Sequence, residues 1–406
     1  MAVPFDPATF NPHDPAFLAD PYPIYQRFRE QAPVSPVRYV LANQTVVFES
    51  VWVFSHAGCK AVLDGTDLFL KNRQPPDAPA GIADVMRNLP NGLFSMDPPR
   101  HTAVRPLMDE LFAKAIAGIE REASAGAASL LQGVGARRRF DLVSSYAMPL
   151  PSAVLKTVLG VPDSHWGAVE QWVTMILLGN DLTAPLSAQQ QAGTCLFALG
   201  GYYHALSRGC PVHAHPGRMV DLMLSEGEQR GLQLDEAQQT ALNLSIAGYL
   251  STVFLLATGT LNLLRHPAQF AKLRANPALM PMAIEEMLRF DAPAQLVDRY
   301  VAADTELCGV PLKAGTRVTA VLGAANRDPA VFEEPDRLDL TRDPKEHLGF
   351  GDGIHVCLGA PLVRKIAPVA FHALLERFPN LSLAGLPQWQ TDPYLRSVSN
   401  LPVAVG

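Results

Sequence analysis

Phe350-Gly351-Asp352-Gly353-Ile354-His355-Val356-Cys357-Leu358-Gly359 is the stretch that decides the fold of this chain. Three glycines within nine residues let the backbone turn tightly and come close to a flat partner. The loop runs into an apolar helical stretch, Leu358 to Leu375. A cysteine at a helix N-terminus meets the positive end of the dipole and free N–H groups, which favour the thiolate. A thiolate is a soft, strongly donating metal ligand. An ordinary free cysteine is an inert small hydrophobe; the glycines and the helix start set Cys357 apart from that background.

The spacing Phe-Gly-x-Gly-x-His-x-Cys-x-Gly resembles the heme-binding loop of the cytochrome P450 family. The resemblance implies a mainly α fold with small β-sheets, a helical bundle around a buried heme b. It makes Cys357 the iron ligand, with Phe350, Gly351, His355 and Gly359 around the cofactor. It covers about residues 20 to 400, so residues 1–20 are expected as an extended N-terminal segment and 21–406 as one catalytic domain.

Further along, Glu286-Met287-Leu288-Arg289 resembles the family's Glu-x-x-Arg pair, whose members share one helix face. By the same resemblance Arg337, in Pro335-Asp336-Arg337-Leu338, closes a structural Glu286–Arg289–Arg337 network that braces the cysteine loop. Ala325-Asn326-Arg327-Asp328-Pro329 matches the pattern that bacterial members carry before that arginine. Heme propionates need cationic or N–H donors, and His101, Arg105, Arg299 and His355 stand at matching positions. His101 and Arg105 lie four residues apart, on one helix face. Pro106 follows directly and is expected to kink that helix.

Composition is that of a soluble globular enzyme: 406 residues, 48% hydrophobic and 18% charged. The five cysteines are odd in number and scattered, without a CxxC pair, which argues against a disulfide framework or a zinc site. A net charge of −6 gives no reason to expect nucleic acid. The proline-rich start lacks the features of a signal peptide. The one long apolar helix carries Asn243, Ser245, Ser251 and Thr252, so it reads as buried and no membrane is expected. The expected location is cytoplasmic. That helix opens at Asp235 and Glu236 and stops at His266-Pro267. Other helices are expected over 99–117, 118–134, 143–160, 164–179, 187–207 and 216–226, and a strand over 45–54.

The central helix departs from the family. Most members carry Ala-Gly-x-Asp/Glu-Thr, in which glycine admits oxygen and substrate while the acid and alcohol relay protons. Here the run is Ala247-Gly248-Tyr249-Leu250-Ser251-Thr252. Leu250 stands at the acid's place and carries no proton. Ser251 keeps a hydroxyl, although a mid-helix serine can also bond the carbonyl four residues back. Thr252, about 100° round the helix, is a fallback donor.

Three reactions survive: substrate-assisted hydroxylation, oxidative coupling or ring formation without oxygen insertion, and peroxide-driven oxidation. Some family members that couple aromatic cyclic dipeptides resemble this chain at Leu250-Ser251. The absence of an arginine between Leu242 and Leu264 lowers the peroxide reading. Beyond the ligand, Ile366 replaces the family's usual glutamate, while Arg364 and Lys365 could attract an acidic ferredoxin. By resemblance the substrate pocket is walled by residues 89–94 with Leu93 and Phe94, by Trp172 to Leu178, by Ala247, Tyr249, Leu250 and Ser251, and by Leu296. These walls suit a small apolar substrate, aromatic ones included. The implied inputs are dioxygen and two electrons from a ferredoxin and its reductase. A rival from another class is a non-catalytic heme protein that binds a ligand.

Overall fold

Leu234–Arg265 forms one helix of 32 residues, the spine of the fold. Asp235 and Glu236 occupy its first turn and Arg265 its last, each complementing the dipole. His266 and Pro267 end it and start the next helix, Pro267–Ala275. The helix is long and apolar enough to cross a membrane by composition, yet 67% of its most apolar window is buried inside the protein. The structure, a computed structural model, describes residues 10–40, 46–71, 92–135, 137–179, 184–208 and 214–406.

The chain packs as two compact units: 1–75, 123–150 and 251–406 form one, and 76–122 with 151–250 the other. Among the described residues, the first unit holds all the sheets. Its main sheet has five strands. Val34–Val40 pairs antiparallel with Val46–Val53, which runs parallel to Arg317–Val321. Leu296–Val301 and Phe69–Leu70 complete the order. Val53, Val301, Val318 and Ala320 from these strands bury against Val62 and Leu63 of the helix His56–Asp64. A second, three-stranded sheet pairs Pro402–Val405 with Arg139–Asp141 and Leu381–Leu383.

Three helices of this unit meet at Gly259. A Cβ there would stand 2.8 Å from Phe371 Cζ and 3.1 Å from Met287 Sδ. The glycine thus lets the central helix approach both the anchor helix, Met280–Phe290, and the helix that follows Cys357, Ala360–Arg377.

The N-terminal segment is not wholly extended. Asp14 caps a one-turn helix, Pro15–Ala19, by accepting the Ala16 N–H at 2.8 Å, with proline at its first position. Arg396 secures that turn by donating to the carbonyls of Leu18 (2.6 Å) and Ala19 (3.0 Å).

The second unit is helical, with Arg100–Ala115, Asp163–Gly179 and Leu186–Ser207 as its long elements. Arg100–Ala115 runs on through Pro106 as one helix. Tyr203 and Ser245, both buried, share a hydrogen bond of 2.6 Å that joins Leu186–Ser207 to the central helix.

Candidate active site

The cysteine loop is built by its own backbone. The Cys357 N–H donates to the Phe350 carbonyl at 2.9 Å, and the Gly351 N–H to the Leu348 carbonyl at 2.9 Å. Gly351 and Gly353 take φ of +72° and +66°, which side-chain-bearing residues rarely adopt. A Cβ on Gly353 would also strike the Leu63 carbonyl at 2.7 Å. Asp352 accepts the Gly353 N–H at 2.8 Å and pairs with Lys60 of His56–Asp64. Loop and helix are therefore locked together by charge and by shape. Cys357 ends the loop just before the helix Ala360–Arg377, and its own carbonyl accepts the Ala360 N–H at 3.2 Å.

Cys59 is buried and Cys195 half-buried, whereas Cys357 and Cys308 are exposed. Cys308 sits in a tight turn with φ of +50°. Only Cys357, of the described cysteines, has the glycine loop and the helix start. A Cβ on Gly359 would stand 3.6 Å from Cys357 Sγ, so glycine leaves that flank of the sulfur open. A single accessible thiol on a braced loop, entering an apolar helix, is a donor set that fits a heme iron.

The brace beneath the loop is a buried ion pair. Glu286 and Arg289 side chains are both 0% exposed, with Nε–Oε2 at 2.7 Å and Nη2–Oε1 at 2.9 Å. Arg289 also donates to the carbonyls of Asn326 (2.9 Å), Pro335 (2.8 Å) and Arg337 (3.3 Å). All five guanidinium donors are thus used, the condition under which burying such a charge is tolerable. Asn326 passes the brace on by accepting the Leu348 N–H at 2.6 Å, at the root of the cysteine loop.

The third member of this network is Arg342 rather than Arg337. Arg342 Nε lies 3.3 Å from Glu286 Oε1. The Arg337 side chain is 57% exposed and pairs with Glu334 (3.1 Å) and Asp339 (3.0 Å); only its carbonyl reaches Arg289. The sequence motif pointed to the nearer arginine. The chain turns between the two, with the Arg342 N–H bonded to the Asp339 carbonyl at 2.9 Å, and it is Arg342 that returns towards the anchor helix.

Around the loop's underside is a cleft of about 650 Å³ lined by Lys60, Glu285, Phe350, Asp352, Val356 and Arg364. Arg364 forks onto Glu285 at 2.8 and 2.9 Å, so its charge is matched within the protein. Burial opposes ionisation of Glu285, but hydrogen bonds from Arg364 and His347 bring its pKa down to about 2.

Of the other expected donors, Arg299 lies in the main sheet opposite Val318, 2% exposed, giving one N–H to the Asp298 carbonyl at 2.9 Å. His355 closes a short 3₁₀ turn, Gly353–His355, and is half-buried. In the second unit His101 is buried, and Arg105 pairs with Asp109 at 2.8 Å one turn on.

The central helix sorts its residues by face. Ala247 is exposed, and Leu244, Gly248, Leu250 and Ser251 are partly exposed. Leu242, Ser245, Tyr249 and Thr252 are buried on the opposite side, as a 100° step per residue requires. Tyr249, expected in the pocket wall, turns instead into the second unit. It is 3% exposed, its hydroxyl bonds Thr174, and burial pushes its phenol up to about 12. Leu93 and Leu296 are buried, while Phe94 is exposed. Residues 89–91 of the expected wall lie outside the described residues.

The cytochrome P450 family model matches residues 203–385 of the chain. The biotin biosynthesis cytochrome P450 of Bacillus subtilis (strain 168) is 31% identical over 95% of this chain and 96% of its own length. The 6-deoxyerythronolide B hydroxylase of Saccharopolyspora erythraea is 34% identical over 96% of both chains. Among solved structures, P450BioI in complex with hexadec-9Z-enoic acid ligated acyl carrier protein matches with a TM-score of 0.85 at 29% identity, covering 96% of this chain and 100% of that one. The fold and the cysteine loop thus define a heme-thiolate class of oxidoreductase. The chain belongs to the cytochrome P450 family.

Proposed function

We propose that this protein is a soluble, cytoplasmic heme-thiolate monooxygenase acting on a small apolar natural-product intermediate, aromatic ones included. The observation that carries this reading is the accessible side of the central helix. Leu244, Ala247, Gly248, Leu250 and Ser251 face outward there, and none has an ionisable side chain. Such a wall selects by shape and apolar contact, with Ser251 as its one hydroxyl. The relatives named above are a biosynthetic cytochrome P450 and a hydroxylase, which supports oxygen insertion into a biosynthetic intermediate.

Cys357 would hold the heme iron, and His101, Arg105, Arg299 and His355 would supply the propionate donors. When bound, the heme supplies the oxidising chemistry, drawing on dioxygen and two electrons; a ferredoxin and its reductase are the proposed source. The chain's own contribution is to hold the sulfur on a braced loop, exclude water with apolar walls and carry a proton at Ser251 Oγ. Leu250 cannot assist that proton, so a hydroxyl on the substrate or an ordered water takes the acid's place.

Leu250 and Ser251 also favour a second reading, oxidative coupling or ring closure without oxygen insertion, because some family members that couple aromatic cyclic dipeptides resemble this chain at these two positions. Titration of the ferric protein with aromatic cyclic dipeptides, fatty acids, terpenoids and macrolides, read by the heme Soret shift, identifies the ligand class. Turnover of the best ligand under labelled dioxygen then decides. Label in the product supports monooxygenation, whereas an unlabelled coupled product supports the second reading. Saturable binding without any electron-driven product would leave a ligand-binding role instead.

A further inference from the structure

One carboxylate brackets the whole cysteine loop. Glu285, beside Glu286 on the anchor helix, accepts Arg364 Nε at 2.8 Å on Oε1 and Nη2 at 2.9 Å on Oε2. His347 Nε2 lies 2.9 Å from the same Oε2. The Gly349 N–H donates to His347 Nδ1 at 3.0 Å, which leaves the ring proton on Nε2, directed at Glu285. His347 stands before the loop and Arg364 seven residues after Cys357. Between them lies Phe350, its ring 4.8 Å from the Arg364 guanidinium and 6.1 Å from the His347 ring. The Phe350 carbonyl is the acceptor of the Cys357 N–H.

Arg364 thus meets the cysteine loop through Phe350, whose ring it covers and whose carbonyl holds the Cys357 N–H at 2.9 Å. Its positive charge favours the thiolate and favours adding an electron next to it. Glu285 offsets that charge while fixing where it sits. A fork-to-fork pair is rigid as well as strong, so the offset is held at one value.

We propose that Glu285 and Arg364 are positioning residues that set the electrostatic environment of the Cys357 thiolate, and through it the reduction potential of the heme. This rests on the heme-thiolate reading above.

The test is the heme midpoint potential of the holoenzyme and of Glu285→Gln, Arg364→Gln and the double variant, each with its ferrous carbonyl spectrum. Glu285→Gln keeps the shape and removes the negative charge, so the potential should move positive. Arg364→Gln should move it negative, and the double variant should return towards wild type. Glu285→Asp, which keeps the charge, should stay nearer wild type than Glu285→Gln and serves if Glu285→Gln folds poorly. A purely structural pair would move both single variants the same way. Equal-sign shifts, or unmoved potentials beside an intact thiolate-type carbonyl band, would overturn the proposal. A wild-type holoenzyme without that band would overturn the heme-thiolate reading itself, and this inference with it.

Discussion

Arg342 Nε reaches Glu286 Oε1 at 3.3 Å, while the Arg337 guanidinium, five residues earlier, lies over the surface between Glu334 and Asp339. The buried carboxylate therefore receives Arg289, Arg342 and the Asp339 N–H at 3.0 Å. Arg337→Ala should change the free energy of unfolding by no more than about 0.5 kcal/mol, as for other exposed pairs. Arg342→Ala should cost about 1–3 kcal/mol, because a buried charge loses a partner. Arg289→Lys should cost about 3–5 kcal/mol, since an ammonium has three donors where five are used. Urea titrations of the purified variants give this ranking directly. Equal effects of Arg337→Ala and Arg342→Ala would restore Arg337 to the network.

Ser251 and Thr252 make an internal comparison on one helix. Ser251 is partly exposed on the accessible side, and Thr252 is 3% exposed on the buried side. Ser251→Ala should lower the product formed per electron delivered and raise peroxide release, by several-fold or more if the hydroxyl carries the proton. Thr252→Ser should leave that ratio unchanged. Simultaneous assay of product, peroxide and reductant consumption separates the two. An unchanged ratio in Ser251→Ala would remove the hydroxyl from proton delivery.

Acid stability should report on a buried carboxylate far along the chain from the cysteine loop. Asp291 accepts Arg396 Nε at 2.6 Å, the Tyr22 hydroxyl at 2.5 Å and Asn262 Nδ2 at 3.2 Å. Burial alone would raise its pKa, but the Arg396 charge, with the Tyr22 hydrogen bond, holds it below the usual carboxylate range. The folded pKa is thus lower than the unfolded one. The stabilisation is present above about pH 4, the unfolded value, and is lost as pH falls further. Asp291→Asn should be less stable than wild type at neutral pH and show a shallower loss of stability on acidification. Denaturation midpoints measured from neutral pH down to the acid limit test the sign. A parallel acid limb in the variant would show that Asp291 does not control it.

How much of this was legible in the sequence depends on the reach of each interaction. The central helix was readable end to end, because its acidic first turn and the His266-Pro267 stop are local signals. The cysteine loop was readable because its glycine φ values and helix start are set within ten residues. The Glu286–Arg289 pair was readable from i, i+3 spacing. Arg342 was not, since choosing between it and Arg337 requires knowing how the chain turns after Pro335. Glu285 was hidden for the same reason: its partners, His347 and Arg364, are 62 and 79 residues away. The Pro15–Ala19 turn escaped because a composition rich in proline masked the Asp14 cap. Tyr249 was placed in the pocket wall by the family resemblance, whereas the 100° step puts it on the buried side of the helix.

The measurement that tests the account most directly is the ferrous carbonyl spectrum of the purified holoenzyme, beside that of Cys357→Ser. The account predicts a Soret band at the red-shifted position diagnostic of thiolate ligation in the wild type, and its loss in the variant. A wild-type band at the position of a neutral thiol or imidazole ligand, or a thiolate band that survives Cys357→Ser, would contradict Cys357 as the iron ligand.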